Sequence, residues 1–327
     1  MRHWHRRGAV AWLLWPVSLV FGLLVFLRKA FYTLRIFGST HPGIPVIIVG
    51  NISVGGSGKT PLVLWIAELL KGKGWSPAIV SRGYGAIREK DAPPRAATIA
   101  SRAEEVGDEP ILLSRRSGCP VWVGADRARV IAALRDAHPD VDIVILDDGL
   151  QHYALRRDLE IAVVDARGLG NGFLLPAGPL REPRIRLRTV DAVVTHGGGS
   201  KGHAMHLEGD TVHRMSDSRE RQPLKAFAGQ KVHAVAGIGD PNRFFLHLGK
   251  AGIKVLPHPF PDHHAFSAAE LEFGDELPVL MTEKDAVKLR HAPRANWWVL
   301  PVAAKVDAAF GGWLLGRVDD WRRSKAA

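Results

Sequence analysis

Between Arg7 and Arg28 the chain runs for twenty residues without a charge, including WLLWPVSLVFGLLVFL. Coiled as a helix, that run is about 30 Å long, enough to cross the hydrocarbon core of a bilayer. Past Ile44 the pattern changes. Short apolar runs read as buried strands: PVIIVG (45–50), AIVS (78–81), VWVG (121–124), DIVILDD (142–148), IAVVDA (161–166) and AVVT (192–195). Amphipathic stretches such as 61–71 and 126–137 lie between them. Strands alternating with helices predict an α/β fold with a mostly parallel sheet covered by helices. The polar, Gly/His/Ser-rich segment 196–230 reads as a linker. A second alternating block starts at HAVAGIG (233–239). It continues through a helix near 242–251, PVLMTEKDAVKLR (278–290) and WWVLPV (297–302). The expected organisation is a hydrophobic helix over 1–38, a core over 39–195, a linker over 196–230 and a smaller α/β domain over 231–327.

Composition narrows the class. Of 327 residues, 46% are hydrophobic and 24% charged, ordinary globular usage that excludes disorder and a pure membrane bundle. The one cysteine, Cys119, excludes an internal disulfide framework and any multi-cysteine metal site, and is assigned to packing. The net charge of +11 points to an anionic partner. No aromatic-rich RNA motif or helix-turn-helix signature accompanies it, so nucleic acid is not expected. His196, His203, His206 and His213 are too irregularly spaced to suggest a metal site. The basic charge is concentrated early, because no Asp or Glu precedes Glu68. Pro16 and Gly22 interrupt the apolar run, Trp4, Trp12 and Trp15 cluster at its start, and basic residues flank it. A helix lying in the membrane face fits these features better than a span. A cleaved leader fits poorly, since no small-residue site follows the run. The remaining alternative is a buried hydrophobic helix.

The most informative stretch is GNISVGGSGKTP, 50–61, which follows a strand and opens a helix. That is the setting of a phosphate-binding P-loop. Ser53, Val54, Gly55, Gly56, Ser57 and Gly58 would present backbone N–H groups to phosphate oxygens. Lys59 would reach the β/γ-phosphates of ATP, and the Thr60 hydroxyl would hold Mg²⁺. Ser53 stands where the first glycine of the usual pattern falls. The strand 141–149 ends in Asp147 and Asp148, carboxylates placed to serve the same Mg²⁺.

A guanine-reading N-K-x-D motif is missing, since TEKD (282–285) lacks the Asn. A kinase needs a base near the γ-phosphate, and the candidates are Asp108 in VGDEP and Asp262–His263 in FPDHHAF. Asp108 also reads as a helix cap ahead of Pro110, and DHH as a solvated loop.

Several motifs together resemble the tetraacyldisaccharide 4'-kinase family. They are GNISVGGSGKTP, SRGYG (81–85), VGDEP (106–110), DDGLQH (147–152), LLPAGPLREP (174–183), GIGDPNRFF (237–245), FPDHHAF (260–266) and TEKDAVK (282–288). The resemblance implies a P-loop NTPase-like fold and phosphoryl transfer from ATP to the 4'-hydroxyl of an acylated disaccharide 1-phosphate lipid, forming lipid IVA. It implies Asp108 as catalytic base, His263 as its partner, and Asp147 and Asp148 in an acidic Mg²⁺ region. It places Arg181 and Glu182 near substrate and metal, and Tyr84 and Gln151 near substrate. It also implies the cytoplasmic face of a bacterial inner membrane, with its phospholipid surface as partner and no obligate protein partner. The run Arg181, Arg184, Arg186, Arg188 reads as a site for anionic lipid or as a solvated basic surface. Outside the resemblance, two readings stay open: a P-loop kinase or ATPase with another membrane-associated substrate, and a nucleotide-gated membrane-binding protein.

Overall fold

The computed structural model describes residues 2–84, 86, 92–197, 202–289 and 294–326. After helix α1 (Ala9–Thr33), strand β1 (Val46–Gly50) runs through the P-loop into α2 (Lys59–Lys71). There follow β2 (Pro77–Ser81), β3 (Arg95–Ala97), α3 (Ala103–Val106), α4 (Asp108–Ser117), β4 (Val121–Val123) and α5 (Arg127–Ala137). Then come β5 (Ile143–Asp147), β6 (Leu159–Asp165), β7 (Ala192–His196) and β8 (His203–Glu208). A second lobe comprises β9 (Thr211–Arg214), β10 (Arg221–Pro223), β11 (Lys231–Ala236), α6 (Pro241–Lys250), β12 (Lys254–Pro259), β13 (Val279–Thr282), α7 (Glu283–Ala286) and β14 (Trp297–Leu300). β15 (Ala303–Val306) and α8 (Ala308–Ala326) follow it.

The first sheet has the order β15-β8-β7-β6-β1-β5-β2-β4-β3, and the second β10-β9-β14-β13-β11-β12. The first sheet is parallel except at its edges, where β3 and β15 run antiparallel to their neighbours. β1, β2 and β5 are buried at every position, which is why they read as unbroken apolar runs. On one face Ile47 and Val49 meet Leu62 and Ile66 of α2 with Phe310 and Leu314 of α8; on the other Ile48 and Val80 meet Ile131 and Leu134 of α5. β1 pairs with β5 on one side and β6 on the other, so the P-loop leaves the sheet at the crevice beyond the strand C-termini.

Two expected boundaries are corrected. The segment 196–230 is no free linker: it carries β8, β9 and β10, which join both sheets. These are edge or near-edge strands that bury few side chains, Met205 in β8 and Val212 with His213 in β9, so their apolar signal is thin. Nor does the chain after 231 stay in the second lobe. β15 pairs with β8, and Phe310 of α8 lies against Trp65 of α2 with ring centroids 5.7 Å apart.

α1 touches the core along one narrow stripe. Only Ala11 and Ser18 are buried, while Trp12, Leu13, Val20, Leu24 and Phe26 face outward. The Ser18 hydroxyl donates to the Leu174 carbonyl at 2.9 Å and accepts from the Ala177 N–H at 3.0 Å. Before the helix, Trp4 donates to the Pro176 carbonyl and Arg7 to that of Asn171. At its far end the Tyr32 ring lies 6.0 Å from that of Tyr153. Held at both ends, α1 lies along the protein. It is the one helix among the described residues long and apolar enough to cross a membrane.

Phe310→Ala tests whether α8 is part of the first lobe's core. The loss of a fully buried aromatic should lower the free energy of unfolding by about 3–5 kcal/mol, read by urea denaturation.

Candidate active site

The P-loop is shaped by glycine where the backbone turns left-handed, at Gly55 (φ 107°) and Gly58 (φ 88°). Ser53 needs no such freedom. It forms an antiparallel bridge to Leu180, so a side chain is tolerated where the usual pattern has glycine. Inside the loop, the Asn51 amide donates to the Gly55 carbonyl at 3.2 Å and to the Ser57 hydroxyl at 3.1 Å. From outside, Val54 N–H donates to the Pro179 carbonyl and Arg181 N–H to that of Ile52. The Arg167 guanidinium donates to the Gly56 carbonyl at 2.7 Å. Lys59 and Thr60 begin α2, and Lys59 Nζ lies 3.7 Å from Asp148 Oδ1.

Asp147 and Asp148 behave differently. Asp148 takes a left-handed backbone (φ 58°), and its carboxylate is met by Lys59 and, at 3.0 Å, by Arg181. Burial pushes its pKa up, but these two cations outweigh burial and hold it below the ordinary carboxylate value. Asp147 is buried with neither oxygen hydrogen-bonded. Burial first, then the charge of Glu109, push its pKa up to about 8. A buried carboxylate without a partner fits a cation. Asp147 is therefore the carboxylate here whose surroundings fit Mg²⁺. No cluster of three or more His, Cys, Asp or Glu forms a cage among the described residues. That suits Mg²⁺, which is commonly held by one or two carboxylates together with substrate phosphates.

Glu182 lies at the same corner of the site. Its carboxylate accepts from Gln151 at 2.6 Å and Tyr153 at 2.5 Å, and Arg186 pairs with it at 3.2 Å. With both oxygens engaged, it is an anchor for this corner of the site. Gln151 also donates to the Asn51 carbonyl at 3.1 Å, tying that anchor to the P-loop. The arginine run divides as well: Arg186 is buried between Glu160 and Glu182, whereas Arg184 and Arg188 are exposed.

The second lobe completes the site. Gly107, not Asp108, caps α4, and the buried Asp108 carboxylate accepts from His263 Nδ1 at 3.0 and 3.1 Å. His263, with a left-handed backbone (φ 61°), has its ring 5.0 Å from that of the exposed Tyr84. Lys284 Nζ reaches Glu109 at 3.0 Å, Asp262 at 3.1 Å and His263 Nε2 at 3.3 Å. Lys288 lies 3.6 Å from Asp108 and 3.1 Å from Asp285. Burial raises the pKa of Asp108, yet the His263 hydrogen bond and the lysine charges prevail and hold it at about 2. Burial lowers that of His263, but Asp108 raises it further, for a net upward shift.

Comparison with known proteins places the chain in a family. The profile of the tetraacyldisaccharide-1-P 4'-kinase family (LpxK) matches residues 10–319. The chain belongs to this family. The tetraacyldisaccharide 4'-kinase of Methylobacillus flagellatus is 48% identical over 320 residues, covering 97% of this chain and 95% of that one. The enzyme of the same name from Azoarcus sp. strain BH72 is 48% identical over 329 residues, covering 98% and 95%. A crystal structure of LpxK from Aquifex aeolicus in complex with ATP superimposes with a TM-score of 0.77 at 30% identity, covering 94% of this chain and 99% of that one.

In this member of the tetraacyldisaccharide 4'-kinase family, Ser53 to Thr60, Asp147, Asp148, Arg181 and Gln151 gather at the P-loop end of the sheet. Asp108, His263 and Tyr84 meet where the lobes touch. Gly85 of SRGYG and Arg290, which closes the 278–290 stretch, lie outside the described residues. Glu109, Lys284 and Lys288 escaped the sequence reading, although VGDEP and TEKDAVK contain them. Acid and base letters at 109, 284 and 288 are ordinary surface letters until the fold brings them within 4 Å.

The Asp108–His263 pair links stability to pH. His263, raised on folding, contributes in full below its unfolded value of about 6.5, and the contribution is lost as pH rises through the folded value. Asp108, lowered on folding, contributes above about 3.9 and loses its contribution as pH falls toward its folded value. His263→Ala should therefore destabilise by about 1–3 kcal/mol near pH 6 and by clearly less near pH 9, measured by thermal unfolding at both.

Proposed function

We propose that the chain transfers the γ-phosphate of ATP, with Mg²⁺, to the 4'-hydroxyl of a tetraacyldisaccharide 1-phosphate lipid, in lipid A biosynthesis. The observation that carries the reading is a P-loop lysine in the same site as an Asp108–His263 hydrogen bond supplied from two lobes. The two halves are one electrostatic unit, since Glu109 and Lys284, which flank the pair, also act on Asp147.

In this mechanism the P-loop amides and Lys59 hold the phosphates. Bound Mg²⁺ supplies charge neutralisation on them, with Asp147 and Thr60 as its protein-side ligands. Asp148, gripped by Lys59 and Arg181, fixes the lysine's position. Asp108 accepts the hydrogen bond of the sugar hydroxyl and aims its oxygen at phosphorus. A carboxylate near pKa 2 is a weak base. It suffices here because in a loose phosphoryl-transfer transition state the proton leaves late, as the new O–P bond forms and the bond to ADP breaks. His263 and Lys284 then face the neutralised Asp108. Closure of the lobes keeps water from competing for the phosphoryl group.

The acceptor is a membrane lipid, and we place the enzyme at the cytoplasmic face of a bacterial inner membrane with α1 lying in the interface. Support comes from the outward apolar face of α1, its attachment at both ends, and exposed Arg6, Arg28 and Arg35 flanking it.

Two experiments test these readings. Purified enzyme, Mg-ATP labelled on the γ-phosphate and the lipid acceptor in detergent micelles should yield labelled lipid. Lys59→Ala should abolish the signal, and Asp108→Ala should cut turnover by about 10²–10⁴-fold with ATP affinity little changed. Equal loss of ATP binding in Asp108→Ala would mark it as a structural residue instead. Separately, Leu13→Glu with Leu24→Glu should release the protein from anionic phospholipid vesicles in flotation assays while leaving its melting temperature in place. Undiminished flotation would refute docking through α1.

A further inference from the structure

The second lobe also reaches the P-loop itself, through a pair that no step above uses. His196 ends β7, one strand beyond β6 in the sheet, and is buried. Arg243 lies in the first turn of α6, in the other lobe. Its Nη2 stands 2.7 Å from His196 Nε2, and its Nη1 3.4 Å from Nδ1. A guanidinium has no lone pair to offer. The nitrogen it meets at the shorter distance must accept, so the ring proton sits on Nδ1. That side of the ring faces the P-loop. Nδ1 lies 2.8 Å from where a Cβ on Gly58 would stand, so the ring packs on the P-loop backbone. Burial and then the charge of Arg243 push the His196 pKa down to about 4, so the ring is neutral near pH 7.

A second contact sits beside the first. A Cβ on Gly239 would come 2.9 Å from the Gly56 nitrogen, so the GIGD turn lies directly on the P-loop backbone. Gly239 and Arg243 belong to one turn-and-helix unit, and both touch the loop or its immediate support.

We infer that Arg243 and His196 form a latch between the lobes: Arg243 holds the His196 ring against the P-loop backbone at Gly58, so the P-loop keeps its phosphate-binding shape while the second lobe is seated. Arg243 is a positioning residue that acts through His196 on the loop. Without Arg243 the imidazole is free to turn away from the loop, and the loop loses its support on that side. Linkage makes the effect reciprocal: whatever the seated lobe adds to nucleotide affinity, bound nucleotide returns to lobe seating. The inference rests on nucleotide binding at the P-loop and is independent of which lipid accepts the phosphate.

The test uses the full chain as wild type, Arg243→Ala and Arg243→Lys. Mg-ATP affinity is measured by calorimetry, kcat and KM for ATP by the transfer assay, and amide exchange over 237–243 with and without Mg-ATP. Arg243→Ala should weaken Mg-ATP binding and raise KM for ATP about tenfold, with much of kcat recovered at saturating ATP. Mg-ATP should slow exchange over 237–243 in wild type and not in Arg243→Ala. Arg243→Lys, which keeps a donor toward Nε2, should recover part of the affinity. Arg243 is half-exposed, and an unchanged melting temperature would verify the fold of each variant. Wild-type affinity and wild-type exchange protection in Arg243→Ala would overturn the latch alone. A wild-type chain that binds no Mg-ATP would overturn the phosphate-loop reading and the latch with it.

Discussion

A carboxylate buried at the tip of a short helix is the constraint around which the two lobes are arranged. Asp108 is 4% exposed, and from its own lobe the Glu109 backbone N–H donates to it at 3.0 Å. An ionised group in that position is tolerated only if cations and further hydrogen-bond donors come to it. His263, Lys284 and Lys288 bring them from the second lobe. The lysines in turn need the acids Glu109, Asp262 and Asp285. The result is an alternating cluster in which each charge has a counter-charge and no member can be removed without stranding another. The fold of the second lobe can therefore be understood as the scaffold that delivers three side chains to one carboxylate.

The loop from Asn171 to Glu182 is a second organiser. It receives Trp4, Arg7 and Ser18 from the hydrophobic N-terminus, lends backbone groups to Ile52 and Val54 of the P-loop, and ends in Arg181 and Glu182. One stretch of chain thus touches the apolar helix, the nucleotide loop and the acidic corner. The apolar helix and Arg181 are thus linked through one continuous segment of backbone.

Much of this was legible before any coordinates. The strands of the first sheet's centre appear as unbroken apolar runs because both faces are covered, and the P-loop announces itself because glycine and lysine at that spacing serve few other purposes. What stayed hidden shares one physical character. β8, β9 and β10 are pairing strands with little to bury, so hydrogen bonding and not hydrophobicity defines them, and hydrogen bonding leaves no trace in letter patterns. The partners of Glu182 were hidden as well: Tyr153, Gln151 and Arg186 reach its oxygens only once the fold brings them together. Lys284 was in plain view inside TEKDAVK and its role was not, because the meaning of a charge depends on its neighbours in space.

The return of β15 to the first sheet has a consequence for how the molecule is made. The chain leaves the first lobe after β8 and re-enters at β15, and the two crossings run side by side, with Ala303 opposite Glu208 and no room for a Cβ on Gly209 beside the Pro301 carbonyl. The second lobe is thus an insertion, synthesised in full before α8 exists. During translation the P-loop and its helix are complete while the apolar flank of α2 around Trp65 is still bare. In a nascent chain this flank therefore stays uncovered throughout synthesis of the second lobe, until Phe310 and Leu314 emerge to cover it.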